Sequence, residues 1–310
     1  MSKDTKYDYI IYHNKCFDGF SGFYLFMRTG LYKKNYTVYP DVPSTSSVPP
    51  NIDGKNVISI DVSYKASIVK EIARRANKYL FIDHHKTNID DIKKLKLKKP
   101  HKVVYKVTDC GASLVWKYFY GKKKMPQFLK YIKDNDLGIW KLENTLPFIS
   151  YLEVNFPLKP NPFALSKWDS LMSPIYLKKI ISRAKIYEEY KTHLIKLNAR
   201  RHTIRNFPSK DFVVKGNQML SKEGKYKVAV IGGGCPSVSL VGRYIMDNVD
   251  CDFCMIWAYK LESKEYVVSL RSKEVDIGEI AKSYGGGGHK LAAAFAFDGT
   301  KYRIDDLFSN

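Results

Sequence analysis

The sequence predicts an α/β protein with a parallel sheet in an N-terminal domain, a helical connector, and a smaller α/β C-terminal domain with a mixed sheet. Three observations support this fold class. Short apolar runs alternate with segments of helical spacing over the first half of the chain, as in parallel β-α-β units. One long amphipathic pattern follows, and a pattern of strands and helices resumes over the last third of the chain.

The first half of the chain alternates between predicted strands and predicted helices. The strands are Tyr7–Tyr12, Asn56–Ile60, Lys78–Ile82 and His101–Val107, and the helices are Gly19–Met27, Ser63–Ala76 and Gly111–Tyr120. Ser63 is the predicted N-cap of its helix, because its hydroxyl can accept a hydrogen bond from the first turn. In open parallel sheets, ligands bind beyond the carboxyl ends of the strands. The residues that follow these strands are therefore candidates for a functional site.

The middle of the chain contains the predicted connector. Residues from about Asn144 to Pro162 are rich in Pro, Asn and Phe without a clear period. Pro174–Ile204 has the spacing of one long basic amphipathic helix. We expect this helix to join two domains, although a helix packed wholly on the first domain would show the same pattern. The predicted regions are 1–150 for the first domain, 151–209 for the connector and 210–310 for the second domain.

The C-terminal region has its own pattern of strands and helices. Its predicted strands are Tyr226–Ile231, Phe253–Ala258, Tyr266–Leu270 and Leu291–Phe297, and its predicted helices are Ser237–Met246 and Val275–Ser283. The second and third of these strands form a predicted hairpin. A run of glycines that ends in His289 separates the last helix from the last strand.

Composition excludes several classes of protein. The 310 residues, 45% of them apolar, are sufficient for two globular domains. We expect neither a secretory signal nor a membrane span, because no basic start precedes an apolar stretch and no apolar run reaches about 18 residues. The five cysteines are odd in number, which favours reduced thiols and a cytoplasmic protein. Cys251 and Cys254 form a lone C-x-x-C, which we interpret as part of a core strand rather than as a metal site.

The formal net charge of +21 is a large positive excess. Its main clusters are Lys93–Lys102, Lys122–Lys124 and Lys196–Arg205. A field of this sign attracts polyanions, and single-stranded or short nucleic acid is the expected partner, with another phosphate-rich anion as the alternative. A lysine-rich solvated surface would give the same count, so charge alone does not decide between binding and solubility. The oligomeric state is left open.

Histidine and aspartate residues follow three of the predicted strands. His13 follows the first strand, Asp61 ends the second, and Asp83, His84 and His85 end the third. Two divalent ions held about 3.5–4 Å apart can activate a hydroxide, and they need carboxylates together with a few imidazoles. The candidate ligands are His13, Asp18, Asp61, Asp83, His84, His85, Asp134 and Asp136. We expect two Mn²⁺ ions, with Mg²⁺ or Co²⁺ as alternatives.

The tripeptide Asp83-His84-His85 after an apolar strand resembles the signature of the DHH phosphoesterase superfamily, which includes RecJ-type exonucleases, nano-RNases, cyclic dinucleotide phosphodiesterases and inorganic pyrophosphatases. Further segments are similar to the family's other motifs in the family's order. They are His13–Gly19, Asp61 in Ile-Ser-Ile-Asp, Asp109–Leu114, Asp134–Leu137 ahead of Trp140, and the glycine-rich Gly285–Ala294, which resembles the loop of the DHH-associated second domain. Together these motifs extend over nearly the whole chain.

The resemblance implies a role for each matching residue. His13 and Asp61 would hold the first metal. Asp18, Asp61, His84 and Asp134 would hold the second metal, with Asp61 bridging the two ions. Two further residues would be catalytic. Asp83 would orient an imidazole by accepting its other N–H, and His85 would face the substrate phosphate.

Two positions in this set are open. Cys16 stands where the family has the first Asp of an Asp-x-Asp motif. Only a thiolate binds metal well, so the first metal is expected to bind weakly, to be a different ion, or to take a water at that place. Asp134 and Asp136 could both reach the site from one turn; we favour Asp134 as the ligand and place Asp136 in the outer shell.

The C-terminal domain contains the predicted substrate-binding residues. Glycine N–H groups can approach an anion closely, and a guanidinium fork is suited to phosphate. The predicted residues are Arg271, Ser272, Gly286, Gly287, Gly288 and His289. We expect substrate to bind in a cleft between the two domains, with the second domain gripping a terminal phosphate or a stacked base.

The resemblance and the charge together predict a metal-dependent enzyme. The favoured reaction is hydrolysis of phosphodiester bonds in short or single-stranded nucleic acid by a hydroxide that two metal ions activate. One alternative is a phosphohydrolase for polyphosphate or for small nucleotides such as cyclic dinucleotides. An alternative from another class is a weakly active nucleic-acid-binding module, which Cys16 and the basic helix would permit.

Overall fold

The computed structural model describes residues 5–42, 47–85, 89–209, 224–234 and 237–309. It divides into two compact units, Met1–Glu188 and Glu189–Asn310. The predicted α/β fold class is confirmed, because the first unit contains a five-stranded parallel sheet and the second a six-stranded mixed sheet. Residues 210–223, where the predicted second domain begins, and Cys235 lie outside the described residues.

The first unit is built on a parallel sheet with the strand order β2-β1-β3-β4-β5. Its strands are β1 (Tyr7–His13), β2 (Tyr32–Asp41), β3 (Asn56–Ile60), β4 (Lys78–Asp83) and β5 (Lys102–Tyr105). Its helices are α1 (Phe17–Met27), α2 (Ala66–Arg75), α3 (Ile89–Lys93), α4 (Gly111–Tyr120), α5 (Gln127–Asp136), α6 (Thr145–Asn155) and α7 (Pro162–Asp169), followed by a 3-10 helix (Ser170–Met172). The strand order reverses at β1, which is where ligands bind in open sheets of this type.

The central strands are buried on both faces, which is why they read as nearly continuous apolar runs. In β1, Ile10 and Tyr12 pack into the core under α1 and α4, whereas Tyr9 and Ile11 pack into the core under α2. The same alternation continues through β3 and β4. These two layers fix the register of the strands and therefore the positions of the residues that follow their carboxyl ends.

Several local expectations differ from the structure. Strand β2 lacks an apolar signal, because it is an edge strand with mostly exposed side chains. Ser63 has a φ of +58°, and α2 begins three residues later behind Lys65, so Ser63 is not an N-cap. The segment that the sequence reads as irregular contains α6. Its burial on several sides leaves no single apolar stripe to detect.

The long basic helix, α8 (Pro174–Ala199), ends earlier than its amphipathic pattern predicts. Thr203–Phe207 forms β6 instead, an edge strand that pairs antiparallel with the next strand of the second unit. The basic residues continue from helix into strand, so charge alone does not mark the boundary between them.

The second unit is built on a mixed sheet with the order β10-β11-β9-β8-β7-β6. Its further strands are β7 (Tyr226–Gly232), β8 (Phe253–Lys260), β9 (Glu265–Ser272), β10 (Gly287–His289) and β11 (Ala292–Asp298). Its helices are α9 (Val238–Asn248) and α10 (Ile277–Ser283), with a 3-10 helix at Ile304–Leu307. Strands β7 and β8 are parallel and the other pairs are antiparallel.

The two faces of this sheet pack against different elements. Helix α10 and the 3-10 helix cover one face, and α9 with the end of α8 covers the other. Cys254 is fully buried in β8 on the α9 face, as expected for a core residue, whereas Cys251 lies before the strand and is half-buried. None of the helices in the described ranges is long and apolar enough to cross a membrane.

Candidate metal centre

Asp61 lies at the centre of a cluster of carboxylates and imidazoles at the carboxyl end of the parallel sheet. It follows β3 directly, and its backbone adopts a φ of +66° while its N–H donates to the carbonyl of Ile82 at 2.9 Å. This left-handed conformation is costly for a non-glycine residue and is typical of functional sites. The side chain is 1% exposed, so its carboxylate depends on protein groups or a bound ligand for partners.

The first group of possible ligands consists of His13, Asp61 and His85, whose ligand atoms lie within 4.8 Å of one another. Nδ1 of His13 is 3.3 Å from Oδ2 of Asp61, and Nδ1 of His85 is 3.8 Å from Oδ1. His13 is the last residue of β1, next to β3 in the sheet, which brings it beside Asp61.

The second group consists of Asp18, Asp61 and His84, again within 4.8 Å of one another. Nε2 of His84 lies 3.1 Å from Oδ1 of Asp61, 3.7 Å from Oδ2 of Asp18 and 3.3 Å from Oδ2 of Asp136. Asp61 is common to both groups. A carboxylate shared between two sets of ligands is the arrangement that a two-metal site requires.

Helix α4 positions Asp18. The N–H groups of Gly111 and Ala112, at the first turn of α4, donate to its two carboxylate oxygens at 2.5 and 2.9 Å. The absence of a side chain at Gly111 permits this approach, because a Cβ there would lie 2.7 Å from the Cβ of Asp61. The free N–H groups at the start of the helix therefore hold a carboxylate against the cluster.

Asp83 supports the two histidines that follow it. Its Oδ1 accepts the backbone N–H of His84 at 2.8 Å and lies 2.7 Å from Nδ1 of His85. A carboxylate on one ring nitrogen fixes the orientation of an imidazole and leaves Nε2 for another partner. His85 is half-buried, so that second nitrogen belongs to a side chain partly open to solvent.

Asp134 and Asp136 occupy different environments. The carboxylate of Asp134 accepts the N–H groups of Lys141 and Leu142 at 3.1 Å and the hydroxyl of Thr145 at 2.5 Å. These bonds turn it toward the start of α6. Asp136, which the sequence places in the outer shell, instead has an oxygen beside His84. The placement differs from the sequence-based preference because both residues lie on α5, where a separation of two residues points them to different sides.

The electrostatics of the cluster reveal a deficit of positive charge. Burial and the charges of Asp61 and Asp136 raise the pKa of Asp18 well above its usual value. Burial and the charge of Asp61 raise the pKa of Asp136 to about 6. For His84, burial would lower the pKa, but the nearby carboxylates of Asp61, Asp18 and Asp136 raise it to about 9. Carboxylates are therefore packed more closely than the histidines alone can balance.

Orphaned polar atoms provide the test of whether metal ions fit. Among the described residues, Oδ1 of Asp61, Nε2 of His84 and Oδ2 of Asp136 are buried without a hydrogen-bond partner. Such groups are costly to bury unless a ligand satisfies them. Their donor set of carboxylate oxygens and imidazole nitrogens suits Mn²⁺ and related divalent ions. The residues present therefore fit a metal centre.

Cys16 lies on the side of the first group. Its Sγ is 3.7 Å from Oδ2 of Asp61, close enough for the thiol to donate a weak hydrogen bond. Burial and the charges of Asp61 and Asp18 raise the pKa of this thiol well above its usual value. A cavity of about 300 Å³ opens beside it, lined by His13, Lys15, Cys16, Phe17, Asp18, Ile132, Asn135 and Asp136. This cavity contacts His13 of the first group and Asp18 of the second.

Sequence reasoning missed the role of Asp109, which stabilises the start of α4. Asp109 is 1% exposed and accepts hydrogen bonds from Lys117 at 2.7 Å, Lys133 at 2.5 Å and the hydroxyl of Ser113 at 3.1 Å. Burial would raise the pKa of Asp109, but the two lysines lower it to about 2. The motif Asp109–Leu114 was a usable signal, since it contains Gly111 and Ala112, whose N–H groups hold Asp18.

The predicted substrate-binding residues fall on two faces of the second sheet. Arg271 and His289 align across β9, β11 and β10, because each pairs with Ala292 in register. They therefore share a face. Ser272 lies on the opposite face, 8% exposed, where its hydroxyl accepts the N–H of Glu274 at 3.2 Å. The sheet thus brings Arg271 and His289 together but not Ser272.

The predicted glycines differ in their surroundings. A Cβ at Gly286 would lie 2.2 Å from the carbonyl oxygen of Ala294, and Gly288 combines a φ of +142° with a similar clash against Ala293. Gly287 has nothing within 4 Å of the position of a Cβ. The first and third glycines therefore allow β10 to pack on β11, and Gly287 is the most open to a ligand.

The fold and the site define a two-unit α/β protein with a carboxylate and imidazole cluster at the switch point of its parallel sheet. Residues 248–308 match the family described as the DHHA1 domain. An uncharacterized protein of Acanthamoeba polyphaga mimivirus is 28% identical over 311 residues, which cover 95% of this chain and 68% of that protein.

Two solved structures are similar in fold. The pGpG-specific phosphodiesterase PggH from Vibrio cholerae superposes with a TM-score of 0.53 at 15% identity, covering 94% of each chain. An exopolyphosphatase-related protein from Bacteroides fragilis superposes with a TM-score of 0.50 at 14% identity, covering 95% of this chain and 87% of that one. The match to the DHHA1 domain over residues 248–308 and the similarity of the whole fold to these two structures agree with the resemblance found in the sequence.

Proposed function

We propose that this protein is a metal-dependent phosphoesterase that hydrolyses phosphodiester bonds of short or single-stranded nucleic acid. The observation that carries the proposal is the position of Asp61, whose carboxylate belongs to both groups of possible ligands. Two proteins of similar fold are named as a phosphodiesterase and as an exopolyphosphatase-related protein, and these names are consistent with the proposed reaction.

We assign the ligands from the geometry of the cluster. His13 and Asp61 would hold the first ion, and Asp18, Asp61 and His84 the second. We propose Asp136 rather than Asp134 as the further ligand of the second ion, because the hydrogen bonds of Asp134 already satisfy its carboxylate. Two divalent ions bound there, which we propose to be Mn²⁺, would supply an activated hydroxide and neutralise charge on a phosphoryl group.

Other residues would orient the substrate and move protons. Asp83 holds His85 through Nδ1, so Nε2 is available to donate a proton or a hydrogen bond to the substrate phosphate or the leaving oxygen. Burial on the Asp61 side keeps water away from the carboxylates, while the cavity beside Cys16 admits the substrate. In the second unit, Arg271 and His289 share a face suited to a phosphate group.

A polyphosphate or small-nucleotide phosphohydrolase is the second candidate. Of the two proteins of similar fold, one is named as specific for pGpG and the other as related to an exopolyphosphatase. The same cluster of carboxylates and imidazoles would serve either reaction. We favour nucleic acid because the net charge of +21 is larger than a small anionic substrate requires.

The test is an activity panel on purified protein. Short RNA, single-stranded DNA, a linear dinucleotide, a cyclic dinucleotide and polyphosphate are each incubated with Mn²⁺, Mg²⁺ or Co²⁺. We expect turnover of an oligonucleotide with Mn²⁺ that D61N abolishes while salt-dependent binding of the oligonucleotide remains. Asp91→Asn, an exposed carboxylate in the same unit, is the matched control and should retain turnover. The enzyme proposal is wrong if none of the substrates turns over with any of the three ions.

A further inference from the structure

The second unit contains a polar cavity of about 390 Å³ whose lining differs from that of the proposed substrate face. We call it the arginine pocket. Its defining residues are Arg201, Thr203, Arg205, Trp257, Tyr266 and Arg303. They come from β6 and the residues before it, from β8 and β9, and, for Arg303, from the start of the C-terminal 3-10 helix. The lining residues therefore all belong to the second unit.

The arginine pocket lies on the opposite face of the sheet from Arg271. Along β8, Trp257 alternates with Cys254 and Ile256, and it packs on the core covered by α10. Arg271 is paired in register with Cys254, and its guanidinium reaches the hydroxyl of Ser239 on α9 at 3.0 Å. Because side chains alternate between the two faces of a strand, Trp257 and Arg271 project to different sides. The two sites are therefore separate.

Three guanidinium groups surround the pocket. Arg201, Arg205 and Arg303 are all exposed, and within the described part of the chain no carboxylate oxygen lies within 4.0 Å of their guanidinium nitrogens. The carboxylate of Asp306 instead accepts the backbone N–H of Arg303 at 2.7 Å. Asp305 also lines the pocket and opposes part of the positive charge, but the three arginines leave the pocket with an excess of positive charge. Guanidinium groups that converge without carboxylate partners are suited to a phosphate, which accepts their paired N–H donors.

An aromatic surface forms one wall of the pocket. The indole of Trp257 lies over Gly232, where a Cβ would be 2.4 Å from the ring, so only glycine permits this position. Tyr266 meets the indole edge-on, with ring centroids 5.6 Å apart and an interplanar angle of 66°. Both rings are half-buried, which leaves part of their surface for a ligand. Exposed aromatic faces beside arginines are the elements that bind bases and phosphates of single strands.

We propose that the arginine pocket binds a nucleotide unit, with its phosphate on the guanidinium groups and its base against Trp257. The unit can be a free nucleotide or one residue of a single strand, since both present the same base and phosphate. This inference rests on the geometry of the second unit and is independent of the proposed catalysis in the first.

The test measures binding of adenosine monophosphate to the full chain by calorimetry, in a D61N background that removes turnover. Replacement of Arg201 or Arg205 by Gln should weaken binding about tenfold or more, the cost of a charge-assisted hydrogen bond. Arg200→Gln is the matched control, because Arg200 is an exposed neighbour with the same charge that does not line the pocket.

Further ligands test the phosphate contact and the base contact separately, and they distinguish a free nucleotide from one residue of a single strand. Adenosine monophosphate should bind more tightly than inorganic phosphate, and Trp257→Leu should remove that advantage. The arginine variants alter exposed side chains, so they keep the test decisive even where the Trp257 variant does not fold. Tighter binding of a short single strand than of the mononucleotide identifies a strand as the source, and equal binding identifies a free nucleotide.

Three results would overturn the proposal. The first is equal weakening by Arg200→Gln and Arg205→Gln, which would indicate attraction by net charge alone. The second is loss of binding in R271Q with no effect of the pocket variants, which would place the nucleotide on the other face. The third is the absence of measurable binding of either nucleotide form at low ionic strength.

Discussion

The assignment of Asp136 rather than Asp134 to the metal centre gives the sharpest test of the cluster. The two residues are separated by one position on α5, and an Asn at either site has nearly the same shape as the Asp that it replaces. D136N removes a carboxylate beside His84, so we expect Mn²⁺ affinity to fall at least about tenfold. It also removes repulsion from Asp61, so metal-free D136N should be no less stable than the unsubstituted protein.

D134N should have the opposite signature. An Asn side chain can accept hydrogen bonds through one oxygen only, so at least one of the bonds from Lys141, Leu142 and Thr145 is lost. A hydrogen bond to a charged group contributes about 1.5–3 kcal/mol, which corresponds to a fall of about 3–12 °C in Tm for a unit of this size. Affinity for Mn²⁺ should change little.

The assay combines calorimetric titration with Mn²⁺ and thermal unfolding in the presence of a chelator. The reasoning requires a crossed result, in which D136N loses metal affinity without loss of Tm and D134N loses Tm without loss of affinity. Equal loss of metal affinity in the two variants would refute the assignment. A larger loss in D134N would restore the residue that the sequence pattern favours.

Three further predictions test neighbouring features. G111A adds a Cβ 2.7 Å from that of Asp61, so it should cost about 1–3 kcal/mol in unfolding free energy and weaken metal binding, as followed by denaturant unfolding and Mn²⁺ titration. D109N should lower the unfolding free energy by about 2–3 kcal/mol at pH 7. The pKa of Asp109 is about 2 in the folded protein and about 4 in the unfolded chain, so the ionised carboxyl stabilises the fold at pH values above about 4. This loss should shrink as pH falls from about 4 toward 2, and a constant loss across denaturation curves at several pH values would contradict it. H85Q should lower turnover about 10²–10⁴-fold while two Mn²⁺ ions still bind, whereas loss of one ion in a stoichiometric titration would make His85 a metal ligand instead.

The residues at the strand ends could be predicted from the sequence because the apolar runs and the expected parallel order of the strands agree there. Apolar runs locate β1, β3 and β4, and the order of parallel strands sends His13, Asp61 and His84 to one edge. The side chains on α5 were harder to place. Their direction depends on a helix whose pattern was not recognised, so the choice between Asp134 and Asp136 required the structure.

The C-terminal site exposes another limit of sequence patterns. Arg271 and Ser272 are adjacent in the chain and form an obvious polar pair, but in a strand neighbours point to opposite faces. Conversely, Trp257 and Arg205 are far apart in sequence and belong to one pocket. Proximity of this kind depends on strand order and register, which a single sequence does not reveal when the edge strand β6 is read as the end of a helix.

The distribution of charge within the molecule implies two modes of anion binding with different requirements. At the metal centre, buried carboxylates would repel a phosphate until cations neutralise them, so binding there should depend on metal. In the arginine pocket the guanidinium groups are already in excess, so binding should need no metal but should weaken as salt rises. Chelation should therefore remove the first mode and spare the second. The net charge of +21 would then serve to attract an anion to the protein, and the metal ions would decide whether it reaches Asp61.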